Sequence, residues 1–156
     1  MKLCFLLVWC ALCAEQDARK KEISNLLTIG VFAIAAGYLI VNGRTWLGAA
    51  PAEAALAVLI ALGLTLPGYA LGRLGAGDVK LLAALALASN STYLLGTFIG
   101  AGVALLIWLV IGGAVWNLIH QGLTRRYTYM NPKAPDKYPF SPFLFVGLLM
   151  TAVLIH

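Results

Sequence analysis

Apolar residues in this chain arrive in long uninterrupted runs rather than in strand-like alternation or a narrow helical stripe. Six such runs, each closed by a short polar break, cover residues 3–14, 23–41, 52–70, 78–89, 93–120 and 143–155. Helices that are apolar on every side must be surrounded by lipid or by other helices. Local signals mark their ends. Ser24 is a good N-cap type for the second run, and Asn42-Gly43-Arg44-Thr45 closes it. Pro51 opens the third, and Pro67 near its far end predicts a kink or a termination there. The fourth ends at Ser89-Asn90-Ser91-Thr92, a turn composition. The fifth holds about 28 residues, ~42 Å as a helix against a hydrocarbon core of ~30 Å, so it must tilt or project into water. Within it, Gly96 and Gly100 stand at the GxxxG spacing that lets two helices approach closely.

Composition sharpens this pattern. The chain has 156 residues, of which 62% are hydrophobic and 11% charged, and its mean hydropathy is +0.90. The expectation is an all-α, polytopic integral membrane protein of about six transmembrane helices, forming one domain over residues 1–156 with no separate soluble part. The formal net charge of +5 does not point to nucleic acid, because the basic residues are scattered over short loops without forming a face. They read instead as topology signals. Arg19, Lys20, Lys21, Arg73, Lys80, Arg125, Arg126, Lys133 and Lys137 follow the first, third and fifth runs, and only Lys2 and Arg44 fall elsewhere. The positive-inside rule then makes those three loops cytoplasmic and both termini non-cytoplasmic.

The first run has two readings. Lys2, a short apolar stretch and Ala11-Leu12-Cys13-Ala14 resemble a cleavable signal peptide, but the basic cluster of Arg19, Lys20 and Lys21 directly after it resists translocation. A retained first span is expected. Cys4, Cys10 and Cys13 all lie in it, and the one CxxC spacing, Cys10 to Cys13, has no second CxxC to complete a zinc ribbon, so they read as small apolar residues, not ligands. His120 and His156 stand at run ends with no cluster around either, and neither a metal nor a cofactor is expected.

Chemistry enters with two acids at run ends. Asp17 and Asp78 fall at the same membrane boundary on different helices. Each alone has an ordinary explanation: Asp78 as an N-cap after a glycine-rich turn, Asp17 as an interfacial acid balancing its basic neighbours. Together they suit aspartyl proteolysis, in which one carboxylate takes a proton from water while the other donates to the peptide carbonyl. Two carboxylates held close share a proton because both ionise only at a cost. Gly75 and Gly77 flank Ala76 just before Asp78, leaving a backbone that another chain can approach. Lys80, two residues beyond, either tunes the pair or carries its ammonium to the headgroups. The basic, tyrosine-bearing stretch 125–138 reads as mostly solvated or lipid-facing.

The segments around these acids, DARKKEISN at 17–25 and GAGDVKLLAAL at 75–85, resemble the two signatures of the type IV prepilin peptidases, a family of GxGD-type intramembrane aspartic proteases. The offset from Asp17 to Ile23 and Asn25 agrees, as does Lys80 after the GxGD. A third segment, YPFSPFLFVG at 138–147 with Pro139 and Pro142, resembles the proline-rich entry to that family's last span. Two positions depart: Ser24 stands where the family has the proline of I-P-N, and Ser141 where a glycine commonly lies between the two C-terminal prolines. The resemblance implies catalytic Asp17 and Asp78, with Gly75, Gly77, Lys80, Asn25, Pro139 and Pro142 around the substrate. It implies a prepilin-like protein substrate in the bacterial inner membrane, with the active site facing the cytoplasm. The chain looks like the short form serving Flp-type (tight-adherence) pili, without the CxxC-bearing loop of the members that also methylate. The alternative is a non-enzymatic membrane subunit, either a small ion-coupled transporter or a pilus-assembly scaffold.

Overall fold

The computed structural model describes residues 1–133 and 138–155, and among them every regular element is helical. In chain order these are α1 (Lys2–Lys20), α2 (Asn25–Asn42), α3 (Pro51–Ala70), α4 (Ala76–Ala88), α5 (Ser91–Leu118), the short α6 (Gln121–Arg126), a single 3-10 turn (Thr128–Met130) and α7 (Ser141–Ile155). All six apolar runs form helices. Three of them, α2, α3 and α5, are long and apolar enough to cross a membrane on their own. The outer surface is hydrocarbon: Leu26, Ile40, Leu59, Val110 and Leu154 are among its exposed side chains. Apolar surface on this scale marks a membrane-facing body.

The caps account for most boundaries. The Ser24 side chain accepts from the Leu26 amide at the start of α2, and Asn90 accepts from Tyr93 at the start of α5. Gly43, at φ 64°, ends α2 in the left-handed conformation that glycine adopts freely. Pro67 does not terminate α3, which runs on to Ala70. The chain reverses beyond it, where the Gly68 carbonyl accepts from both Arg73 and Leu74.

α4 is the central element. From Leu81 to Ala88 every residue is buried, because α2, α3 and α5 pack around it. Its thirteen residues reach only ~20 Å, a length that suffices for a helix sheathed in protein. α5 and α7 meet backbone to backbone: a Cβ on Gly100 would stand 2.8 Å from the Gly147 Cα, and one on Gly96 would stand 2.7 Å from the Thr151 side chain. The GxxxG spacing of α5 is therefore the α5–α7 crossing. α1 also packs against α7, and its Leu6, Cys10 and Cys13 are buried, so it belongs to the core.

The stretch after α5 is better anchored than its composition suggests. His120 caps α6, its Nδ1 accepting from Gly122. Arg126 pairs with Glu15 of α1 at 3.2 Å, and the Trp108 indole donates to the Met130 carbonyl. Within this stretch Lys137 lies outside the described residues, as does the C-terminal His156.

Candidate active site

The helix directions bring the end of α1 and the starts of α2, α4 and α7 to one end of the bundle. α1 continues past its apolar run to Lys20, so Asp17 sits in its last turn. Lys21 follows in the left-handed conformation at φ 55°, its amide bonded to the Asp17 carbonyl at 2.7 Å. α4 begins at Ala76, which makes Asp78 its third residue. The Asp78 carboxylate reaches back and accepts from the Gly75 amide at 3.3 Å, one of the donors a helix start leaves without an intrahelical partner. Both acids are buried, Asp17 at 5% exposure and Asp78 at 6%.

Ser141 joins them. It is the first residue of α7 and is wholly buried. Its amide donates to Asp17 Oδ2 at 3.1 Å, and its hydroxyl meets Asp78 Oδ1 at 2.8 Å. Acids 61 positions apart in the chain thus share one bonding partner on a third helix. The Phe140 carbonyl caps α7 by accepting from Phe143 and Leu144, and Pro142 occupies a first-turn position that needs no amide hydrogen. Two helix starts therefore aim their positive ends at the carboxylates.

A cleft of about 330 Å³ opens beside the pair, lined by Asp17, Lys21, Glu22, Ile23, Asn25, Gly75, Ala76, Gly77, Asp78 and Lys80. Of the eight residues singled out in the sequence, six line it. Lys80 and Asn25 meet directly, Nζ donating to Asn25 Oδ1 at 2.8 Å, which ties the start of α2 to α4. A Cβ on Gly75 would stand 3.4 Å from Asp78 Oδ2, so glycine leaves that oxygen uncovered. Gly77 serves a different contact: a Cβ there would come within 3.3 Å of the Ile23 side chain. Pro139 is buried and does not line the cleft. Pro142 sits one residue past the bridging serine.

Asp17 lies beyond the apolar part of α1, and its carboxyl is pushed above the usual carboxylate range. Burial is the leading cause. The hydrogen bonds from Ser141 and the nearby Lys21 charge oppose it without reversing it. The arrangement is thus a pair of buried carboxyls, at least one biased toward holding a proton, beside an open cleft.

A model of the type IV leader peptidase family matches residues 4–120. That is three-quarters of the chain and includes both acids, Gly75, Gly77, Lys80 and Asn25. The chain belongs to the type IV leader peptidase family. Neither the curated proteins nor the solved structures give a match. The matched segment ends before α7, so the leader peptidase family model says nothing of Ser141, Pro139 or Pro142. Ser141 is the site residue that sequence reasoning missed. Its one signal was a polar side chain replacing glycine between two prolines, at the mouth of an apolar run.

Proposed function

We propose that this chain is a membrane-embedded aspartic endopeptidase that removes the short basic leader from prepilin-like proteins at the cytoplasmic membrane face. The observation that carries the reading is the convergence of Asp17 and Asp78 on Ser141 beside an open cleft. Family membership supplies the peptidase activity, and this geometry supplies a pair of carboxyls able to perform it.

In the reaction, a water between the two groups loses a proton to the ionised carboxylate and attacks the scissile carbonyl. The protonated partner donates to the carbonyl oxygen, giving a tetrahedral diol; the proton held by the first carboxylate then passes to the departing amine as the C–N bond breaks, and a diol hydroxyl returns a proton to the second carboxylate, restoring the pair. The pair titrates as a unit, so its proton belongs to both. The substrate backbone passes beside Gly75, where no side chain covers Asp78. Lys80 and Asn25 hold the cleft wall formed by α2 and α4.

The basic loops after α1, α3 and α5 all lie at the site's end of the bundle, which supports a cytoplasmic orientation in the bacterial inner membrane. A small pilin of the Flp type, with a basic leader before its apolar helix, is the substrate that suits such a site.

The test is cleavage of a prepilin-like polypeptide carrying a basic leader, a glycine before the cut and an apolar run. Membranes bearing the wild-type protein are expected to trim it. D17N or D78N protein at equal abundance is expected to leave it intact. Processing that survives in either variant removes that residue from catalysis, and survival in both leaves the scaffold or transporter role.

A further inference from the structure

We propose that Ser141 is a positioning residue of the peptidase: its amide fixes Asp17, its hydroxyl fixes Asp78, and the two bonds together set the separation and orientation of the pair. The inference rests on the aspartic-peptidase reading above and adds a residue that lies outside the segment matched by the family model.

Three observations carry it. First, one wholly buried residue contacts both carboxylates, at 3.1 Å through its amide and 2.8 Å through its hydroxyl. Second, the two arms are chemically independent. The amide belongs to the helix start and survives any substitution except proline, whereas the hydroxyl belongs to serine alone. A glycine at this position keeps the amide contact to Asp17 and loses everything the hydroxyl supplies, the bond to Asp78 above all. Third, the residue is rigidly placed. Phe140 caps α7, Pro142 restricts the backbone that follows, and Gly147 locks α7 against α5.

The hydroxyl contributes more than distance. Asp78 already accepts from the Gly75 amide at 3.3 Å, and the serine adds a shorter bond. A hydrogen bond donated to a carboxylate favours its ionised form. Ser141 acts on both acids: its amide and its hydroxyl both favour the ionised form of Asp17, while the hydroxyl's 2.8 Å bond is to Asp78. Among the described residues, the other charged groups lining the cleft are Lys21 and Glu22 beyond α1 and Lys80 on α4. Replacing Ser141 alters none of them.

The experiment compares wild type, S141A and S141T in bilayer vesicles, with a prepilin-like polypeptide as substrate and D17N and D78N as blanks. S141A keeps the amide arm and removes the hydroxyl. Its kcat is expected to fall about tenfold, the scale of one hydrogen bond to a charged group, with KM within about twofold. The acidic limb of its kcat/KM profile is expected to move to higher pH, because the ionised carboxylate has lost a donor. S141T keeps a hydroxyl and is expected to restore both the rate and the limb.

Two results overturn the proposal: an S141A protein that matches wild type at every pH, or S141A and S141T that lose activity equally with the limb unmoved, which is the signature of packing alone. Failure of the underlying reading looks different. A wild-type protein that does not cut, or D17N and D78N proteins that do, removes the aspartic peptidase itself.

Discussion

A carboxylate in the last turn of a helix faces the negative end of the helix dipole, and Asp17 is also buried. Both conditions disfavour its charge, and together they bear on stability as well as catalysis. Its folded-state pKa lies above the ordinary value near 3.8, so the folded protein holds this proton over a pH range in which the unfolded chain has released it. Stability from this group is therefore greatest below that ordinary value and declines as pH rises through the folded-state pKa. Asparagine imitates the protonated acid. D17N is expected to melt above wild type at pH 8 in detergent, with the difference shrinking as pH is lowered toward 4. A melting temperature for D17N below that of wild type at pH 8 contradicts this. Lys80 and Asn25 give a second residue-scale test. Their bond is exposed, so N25A and K80A are each expected to lose less than about 1 kcal/mol of stability. The double variant should lose no more than the larger single loss, because both remove one interaction. Both acids, this lysine and this asparagine were legible in the sequence through their motif context. Ser141 was not, because its meaning depends on partners 124 and 63 positions away, which no local pattern links.

Among the elements, α4 and α7 are the short apolar helices, and both pack between neighbours. α4 is enclosed by its neighbours, and α7 lies in a slot between α1 and α5. Uniform apolar runs announced both helices. The runs did not say which helix would be central, since a helix apolar on every side looks the same in lipid and in protein. The GxxxG spacing of α5 was legible, but its partner was not, because Gly147 in α7 has no second glycine four residues away to mark a helix contact. Glycine is required at that crossing: a Cβ on Gly147 would strike the Thr97 carbonyl and stand 2.6 Å from the Ala101 amide nitrogen. G147V is expected to separate α7 from α5 and remove most of the folded protein from the membrane fraction. G113A, where nothing lies within 4 Å of the added carbon, is expected to leave abundance unchanged or raise stability by up to about 1 kcal/mol. Equal abundance of G147V and wild type contradicts the observed crossing. The anchoring of α6 and the 3-10 turn also escaped sequence reasoning, since it rests on Arg126 and Trp108 finding tertiary partners.

Across the whole molecule, charge and chemistry gather at one end. Arg19, Lys20, Lys21, Arg73, Lys80, Arg125 and Arg126 lie in or beside the loops that follow α1, α3 and α5, which is where the two acids meet Ser141. Lys2 is at the opposite end, bonded to the Tyr38 hydroxyl at 2.7 Å. A cysteine at position 44, in a background without Cys4, Cys10 and Cys13, is expected to react with a membrane-impermeant maleimide from outside intact cells. One at position 125 should react only after the membrane is opened, and the reverse pattern would invert the proposed orientation. Whether Asp17 and Asp78 work as one unit is read from the leader-cleavage rates of D17N, D78N and the double variant at matched membrane abundance. Residues that act together are not additive. Each single variant is therefore expected to fall to the background of uncatalysed cleavage, and the double variant to fall no further. A single variant that keeps a measurable fraction of the wild-type rate, with the double variant losing the product of the two effects, would contradict the dyad.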